Sequence, residues 1–320
     1  MSMQDRDGHI WWDGELIPWK DARLHVLSYT VQHGAGVFEG VRAYSGSQGT
    51  AIFRLQDHTE RLFDSAKILQ IPLPFTKERI NQAHIDVIKG NALKQGYLRA
   101  NVFYDGITVG ISAEGNGVHT SVAAWEWNAY LGAEAQTRGI RVKTSSYGRL
   151  HINSALRKAK ANGHYLNSML AVHEAKSQGF NDALMLDTHG YVAECSTSNI
   201  FVIRRNVIAT PERTTILEGI TRDTLITLAT DRGYCVEQRR ITRDEIYCAD
   251  EVFITGTAAE VTPVVELDNR AIGSGSRGPI TETLQAAFFD AVRGKDARHS
   301  HWLTPVGTAT VGVGAGDHER

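Results

Sequence analysis

Strand-like runs and amphipathic helices alternate along almost the whole chain, which restricts the fold to the mixed α and β classes. Residues 10–12 and 15–18 read as two strands joined by Asp13-Gly14, a dipeptide suited to a two-residue hairpin turn. A strand is expected at 51–54, then a helix over 58–69 with Leu62, Ala66 and Leu69 at spacings of four and three. Thr76 is placed to cap a second helix that shows Ile80, Ala83 and Val87 on one face and runs to Leu93, with Gly96 as its stop. Residues 97–104 and 121–127 are strand-like, and the glycine-rich stretch 106–117 between them reads as a long loop. Further on, 158–178 reads as a helix with Tyr165, Met169 and Val172 at helical spacing. Strands are expected at 183–186, 198–203, 234–239 and 251–255, and helices at 221–231 and 281–292.

A chain of 320 residues suits two domains. The pattern predicts an α+β fold of two α/β-type lobes: a smaller N-terminal domain at 1–128, a linker at 129–138 and a larger domain at 139–320. The Gly-rich tail from about Thr304 is expected to be loose.

Composition narrows the function. Hydrophobic residues make up 42% and charged residues 22%, as in an ordinary globular protein. Lys and Arg number 34 against 36 Asp and Glu, and no basic run is interleaved with aromatics, so nucleic-acid binding is not expected. No apolar stretch reaches 18 residues, so no membrane association is expected either. The polar start, residues 1–8, has no signal core, and the expected location is cytoplasmic. Cys195, Cys235 and Cys248 form no C-x-x-C pair, which fits a reducing compartment. His299 and His301 read as a solvated tail rather than a metal pair, and no metal is expected.

Four segments carry potential chemistry. Lys160 sits in Arg157-Lys158-Ala159-Lys160-Ala161-Asn162-Gly163-His164-Tyr165, which alone would be a solvated basic run. Glu194 ends Gly190-Tyr191-Val192-Ala193-Glu194 and alone would be a turn residue. Gly219-Ile220-Thr221-Arg222-Asp223 and Gly256-Thr257-Ala258-Ala259-Glu260 each offer backbone N–H groups suited to an anion. A pyridoxal cofactor needs this set: a lysine to bond its aldehyde, a carboxylate on its pyridine nitrogen, and an arginine with backbone donors for its phosphate.

In order and spacing these segments resemble the class IV, fold-type IV pyridoxal-phosphate enzymes, and most closely the branched-chain amino acid aminotransferases. The resemblance runs from Ile10 to Leu303 and includes Gly36-Val37-Phe38-Glu39-Gly40-Val41-Arg42, His58-x-x-Arg61-Leu62, Tyr97-Leu98-Arg99 and Ala129-Tyr130-Leu131-Gly132. It implies a fold-type IV aminotransferase with pyridoxal 5'-phosphate as cofactor. Lys160 resembles the catalytic lysine, Glu194 the partner of the pyridine nitrogen, and Arg61, Ile220, Thr221 and Thr257 the phosphate contacts. Tyr165 resembles the residue beside the ring hydroxyl. Arg99 resembles the arginine that takes the side-chain carboxylate of glutamate, with Phe38, Tyr97, Trp127 and Tyr130 as apolar walls and Thr257 and Ala258 as further substrate contacts. The implied reaction is ping-pong transfer between branched-chain L-amino acids and 2-oxoglutarate. The implied assembly is a homodimer or higher homo-oligomer in which the partner's loop near 106–111 helps to close the site.

Departures fall around the substrate. His33 stands where the family often has tyrosine, Cys195-Ser196-Thr197-Ser198-Asn199 replaces Gly-x-Gly-Glu-Asn, and Ala100-Asn101 follows Arg99 where proline is common. The hydroxyl-rich run is closer to relatives acting on D-amino acids. A D-amino acid or (R)-amine transaminase is therefore the alternative, ahead of a lyase of the same fold and a non-catalytic relative.

Overall fold

The computed structural model describes residues 3–106, 108, 110–127, 131–132 and 134–307. β1 (His9–Trp12) and β2 (Glu15–Pro18) form the expected hairpin. Asp13 at φ 47° and Gly14 at φ 113° fill two turn positions that require a left-handed backbone. After α1 (Tyr29–His33) come β3 (Gly36–Gly46), β4 (Gly49–Phe53), α2 (Leu55–Ile68), α3 (Lys77–Gly90), β5 (Gly96–Tyr104) and β6 (Val118–Trp125). Thr76 caps α3 as expected, its hydroxyl accepting from the Arg79 N–H at 3.2 Å.

The remaining elements are α4 (Ala135–Arg138), β7 (Ile140–Thr144), α5 (Tyr165–Ser177), β8 (Asp182–Leu186), β9 (Val192–Cys195), β10 (Asn199–Arg204) and β11 (Val207–Thr210). α6 (Ile220–Thr230), β12 (Cys235–Gln238), α7 (Arg243–Tyr247), β13 (Glu251–Gly256), β14 (Glu260–Leu267), β15 (Arg270–Ala271), α8 (Pro279–Val292) and β16 (Leu303–Pro305) complete the chain.

Two sheets result. The first is antiparallel, in the order β16-β4-β3-β5-β6-β1-β2. The second is mixed, in the order β12-β11-β10-β13-β14-β7-β8-β9 with β15 on β14. α2 and α3 cover one face of the first sheet through Leu62, Ile80 and Val87 against Val41 and Leu98. α6 and α8 pack on the second sheet through Leu225, Leu228 and Phe288 against the stacked pair Phe201 and Phe253. Each such fully buried side chain contributes about 1.5–3 kcal/mol of transfer free energy.

β3 positions the site through its two faces. Val37, Val41 and Ala43 point into the core under α2, and Glu39 points the same way to meet Arg61 and His58 of α2. Phe38 and Gly40 point to the opposite side, into the cavity described below. The register pairs Gly40 with Arg99 and Arg42 with Tyr97, so period-two alternation brings Phe38, Tyr97 and Arg99 to one face. Gly40 is required there, because a Cβ would lie 1.9 Å from the Tyr97 hydroxyl.

Four sequence expectations need correction. The helix expected over 158–178 starts only at Tyr165, after a short 3₁₀ turn at Asn162–His164. The Lys160 stretch is extended instead: the Phe38 N–H donates to the Lys160 carbonyl at 3.0 Å, and Val37 bridges Ala161. On a continuous helix, five residues would set Lys160 and Tyr165 roughly 140° apart. α3 stops at Gly90, since Ala92 takes φ 50°. At the C-terminal end β16 pairs with β4 and Val306 is buried, so order extends past Thr304, and residues from 308 lie outside those described. His299 is not solvated: it stacks on Trp302 at 4.0 Å and its Nε2 lies 2.8 Å from Asp231 Oδ2. Strands β3, β11 and β14 lie outside the strands expected from the pattern, because their buried runs lack clean alternation. β7 also lies outside them, although Ile140 and Val142 are buried on either side of exposed Arg141.

Candidate active site

Between the two sheets lies a cavity of about 240 Å³. Its floor is Lys160. The backbone of this lysine is fixed at both ends, since its N–H donates to Ser65 Oγ at 3.0 Å and its carbonyl accepts from Phe38. The Nζ is thereby held 2.7 Å from the Tyr165 hydroxyl and 4.9 Å from the centre of the Phe38 ring. Phe38 and Tyr165 meet edge to face at 4.8 Å, so the amine sits over an aromatic corner.

At one end of the cavity is Glu194, the third residue of β9, which is 3% exposed. Its Oε1 accepts from Arg157 Nη2 and lies 3.3 Å from Arg149 Nε. Its Oε2 accepts from Asn199 Nδ2 and from the Leu217 N–H, both at 3.3 Å. Arg149 is itself buried, and burial pulls its pKa down. It donates to Ser168 Oγ at 2.9 Å and to the carbonyls of Cys195 and Ser196, which pins the hydroxyl-rich turn that follows Glu194.

The other end is cationic and rich in backbone donors. Arg61 reaches it from α2, holding Glu39 by Nε at 2.6 Å and by Nη2 at 2.9 Å, and donating from Nη1 to the Glu218 carbonyl at 2.8 Å. This is a buried pair between two elements rather than the helix-surface pair that α2 alone would suggest. Burial would raise the Glu39 pKa, but the Arg61 charge and the hydrogen bonds from His58 and Arg61 hold it well below the usual carboxylate range. α6 begins beside Arg61, and Gly219 at its N-cap offers no side-chain acceptor to the first-turn N–H groups of Ile220 and Thr221. A Cβ on Gly219 would lie 1.9 Å from Asn199 Oδ1.

Phe38, Tyr97, Arg99 and Trp127 form the remaining wall. Tyr97 meets Trp127 edge to face at 4.8 Å, and the Arg99 guanidinium lies 4.5 Å from the Phe38 ring centre. Thr257 and Ala258 also line the cavity. All the site residues singled out in the sequence thus converge except Tyr130, which lies outside the described residues. His33 is exposed and does not line the cavity, whereas Ser196, Thr197 and Ser198 do. Sequence reasoning missed Glu39, Arg149, Arg157 and Asn199. Glu39, Arg157 and Asn199 stand within the quoted segments, but the Arg157 and Arg149 contacts span 37 and 45 positions to Glu194, and no local signal pairs them.

The donor set suits pyridoxal 5'-phosphate. It offers an amine at hydrogen-bond distance from a phenol, a buried carboxylate able to accept a ring N–H, and an arginine beside a helix N-terminus. In addition, the Ser198 and Thr255 hydroxyls are buried on the cavity wall with no hydrogen-bond partner among the described residues, as donors for a polar ligand would be.

Residues 36–267 match the amino-transferase class IV family. The branched-chain-amino-acid aminotransferase of Pseudomonas aeruginosa is 55% identical over 306 residues, covering 96% of this chain and 100% of the relative. Among solved structures, the T.th. branched-chain amino acid aminotransferase with pyridoxamine 5'-phosphate superposes with a TM-score of 0.92 at 44% identity, covering 94% of this chain and 99% of the other. The Escherichia coli branched-chain amino acid aminotransferase gives 0.91 at 39% identity, covering 94% and 100%. With its sequence and its fold both matched over nearly the full length, the chain belongs to the class IV aminotransferases and, within them, to the branched-chain-amino-acid aminotransferase family.

Proposed function

We propose that this chain is a pyridoxal 5'-phosphate-dependent transaminase that moves the amino group between branched-chain L-amino acids (leucine, isoleucine, valine) and 2-oxoglutarate. The observation that carries the reading is Lys160, whose Nζ stands 2.7 Å from the Tyr165 hydroxyl between a carboxylate end and a phosphate-type cradle. When bound, the cofactor supplies an aldehyde for amines and a ring that withdraws electrons from the substrate's Cα.

Arg61 and the backbone N–H groups of Ile220, Thr221 and Thr257 would hold the phosphate. Glu194, held in place by Arg149, Arg157 and Asn199, would accept the ring N–H. Tyr165 orients the Lys160 amine by its hydrogen bond. With the cofactor bound, the Lys160 Nζ would serve as the base that takes the proton from the substrate's Cα and holds it for return. Phe38, Tyr97, Trp127 and, by resemblance, Tyr130 exclude water and accept an aliphatic side chain. Arg99 takes the second carboxylate of glutamate, and Thr257 and Ala258 border the substrate.

Apolar side chains outside the cavity support a homodimer or higher homo-oligomer. Leu166, Met169 and Leu170 of α5 are exposed, as are Val26, Val31 and Ile111, the last at 86%. The Ile111 carbonyl accepts from the Tyr29 hydroxyl at 2.6 Å, which ties the exposed Ile111 to α1. The two separate sheets support a small domain at 1–128 and a large one at 139–320 joined at 129–138, with β16 returning to the first. A cytoplasmic location is the reading that fits the unpaired cysteines.

The test is one half-reaction followed by the cofactor spectrum. L-leucine and L-glutamate are expected to bleach the visible band, and D-alanine and a chiral aryl-alkyl amine are not. Bleaching by D-alanine or the amine alone would transfer the assignment to a D-amino acid or (R)-amine transaminase. Initial rates with both substrates varied are expected to be ping-pong.

A further inference from the structure

Glu260 takes φ 54°, a left-handed backbone that glycine or asparagine adopts more easily. It opens β14 and pairs with Gly256 across the turn that carries Thr257, Ala258 and Ala259. A strained residue persists where its side chain is required, and this carboxylate is fully engaged. Oε1 meets Arg42 Nη1 at 2.8 Å and accepts from the Tyr44 hydroxyl at 2.9 Å, while Oε2 accepts from Gln136 Nε2. Arg42 and Glu260 are both buried, with side chains 9% and 6% exposed.

These contacts join parts that no single element connects. Arg42 and Tyr44 belong to β3 of the first sheet, Glu260 to the second, and Gln136 to α4 within the 129–138 link. Gln136 is held in turn, its carbonyl accepting from Gln285 Nε2 at 2.9 Å. The Arg42 guanidinium also donates from Nη2 to the Trp127 carbonyl at 2.9 Å. One carboxylate therefore reaches two parts of the cavity lining: the Thr257–Ala258 turn through its own backbone, and Trp127 through Arg42.

We infer that Glu260 is a positioning residue for substrate selection, fixing through Arg42 the distance between the Trp127 wall and the Thr257–Ala258 turn. This rests on the reading above that Trp127 helps to accept the aliphatic side chain and that Thr257 and Ala258 border the substrate. Loosening the latch widens the slot. It weakens discrimination between long and short aliphatic side chains while Lys160, Arg61 and the start of α6 stay in place.

The experiment compares the holoenzyme with Glu260→Gly, which relieves the backbone strain while deleting the carboxylate, and with Glu260→Gln and Arg42→Met. The readouts are kcat and KM for L-leucine and L-alanine and the affinity for pyridoxal 5'-phosphate. For Glu260→Gly and Arg42→Met, the leucine-to-alanine ratio of kcat/KM is expected to fall about tenfold, mainly through the leucine KM, with cofactor affinity falling by less than that ratio, since Thr257 is one of several phosphate contacts. The double variant is expected to be no worse than either single one, and Glu260→Gln to recover most of the ratio. An equal loss for both donors, or an unchanged ratio, would overturn the inference. A wild-type enzyme that does not prefer leucine would instead count against the proposed function. The same ratio would then be read on whichever long and short donors it accepts.

Discussion

Arg61 and Glu39 face each other through two hydrogen bonds, Nε to Oε1 at 2.6 Å and Nη2 to Oε2 at 2.9 Å, although 22 positions separate them. His58 Nδ1 completes the carboxylate at 2.7 Å. The arginine that faces the phosphate end of the cavity is thus oriented by a buried anion from the neighbouring strand. Glu39→Gln leaves the guanidinium without its counter-charge and is expected to destabilise the apoprotein by about 3 kcal/mol. Saturating pyridoxal 5'-phosphate should narrow that difference, because the phosphate replaces part of the lost charge. Urea unfolding of apo and holo forms measures both effects, and an equal loss in the two would argue that Arg61 does not meet the phosphate.

Lys160 has no substitute within reach of the Tyr165 hydroxyl among the hydrogen bonds of the described residues. Lys160→Ala is expected to lower turnover by at least about a thousandfold. The visible band of lysine-bound cofactor should be missing, while cofactor is still retained through the Arg61 and α6 cradle. Added methylamine should restore a fraction of the rate. Retained full activity would remove Lys160 from the chemistry.

His84 provides a pH test of stability. It is buried on α3 with Nδ1 donating to the Ile80 carbonyl at 2.8 Å and Nε2 without a partner among the described residues. Burial lowers its pKa from 6.5 to about 4. The unfolded chain therefore takes up a proton near pH 6.5 that the folded protein refuses until about pH 4. Stability is full above the unfolded value and falls with acid between the two, by up to about 3 kcal/mol. His58, whose pKa is also lowered mainly by burial, acts in the same direction. In denaturant titrations from pH 7 to pH 4.5, His84→Gln is expected to show a shallower loss than wild type. Parallel curves would mean that His84 is protonated in the native state.

Gly219 tests the coupling between the two ends of the cavity. Its φ is −69°, so alanine meets no backbone strain, but the new Cβ would press on Asn199 Oδ1. Asn199 donates to Glu194 and to the Leu217 carbonyl at 3.0 Å, so the displacement travels to the carboxylate. Gly219→Ala is expected to weaken cofactor affinity about tenfold or more. Equilibrium titration of apoprotein with pyridoxal 5'-phosphate measures this, and wild-type affinity would show that Asn199 can yield freely.

What the sequence determined was local or carried by motif. Asp13-Gly14 set the first hairpin, Thr76 set the start of α3, and the helical spacing of Leu62 and Ile80 set which faces were buried, because turn chemistry and periodicity act on neighbouring residues. The ordered motifs named Lys160, Glu194, Arg61 and the walls around Phe38 and Arg99, and these meet in one cavity. Tertiary structure alone decided how they meet. The Lys160 backbone is extended rather than helical because its amide and carbonyl are bonded by Ser65 and Phe38, from elements far away in the chain. Arg149 and Arg157 reach Glu194, and Arg42 reaches Glu260, only once sheet register has fixed which face each strand presents. Such pairings depend on burial and on contacts between distant segments, where a charged group must find its partner, and no local pattern encodes that choice.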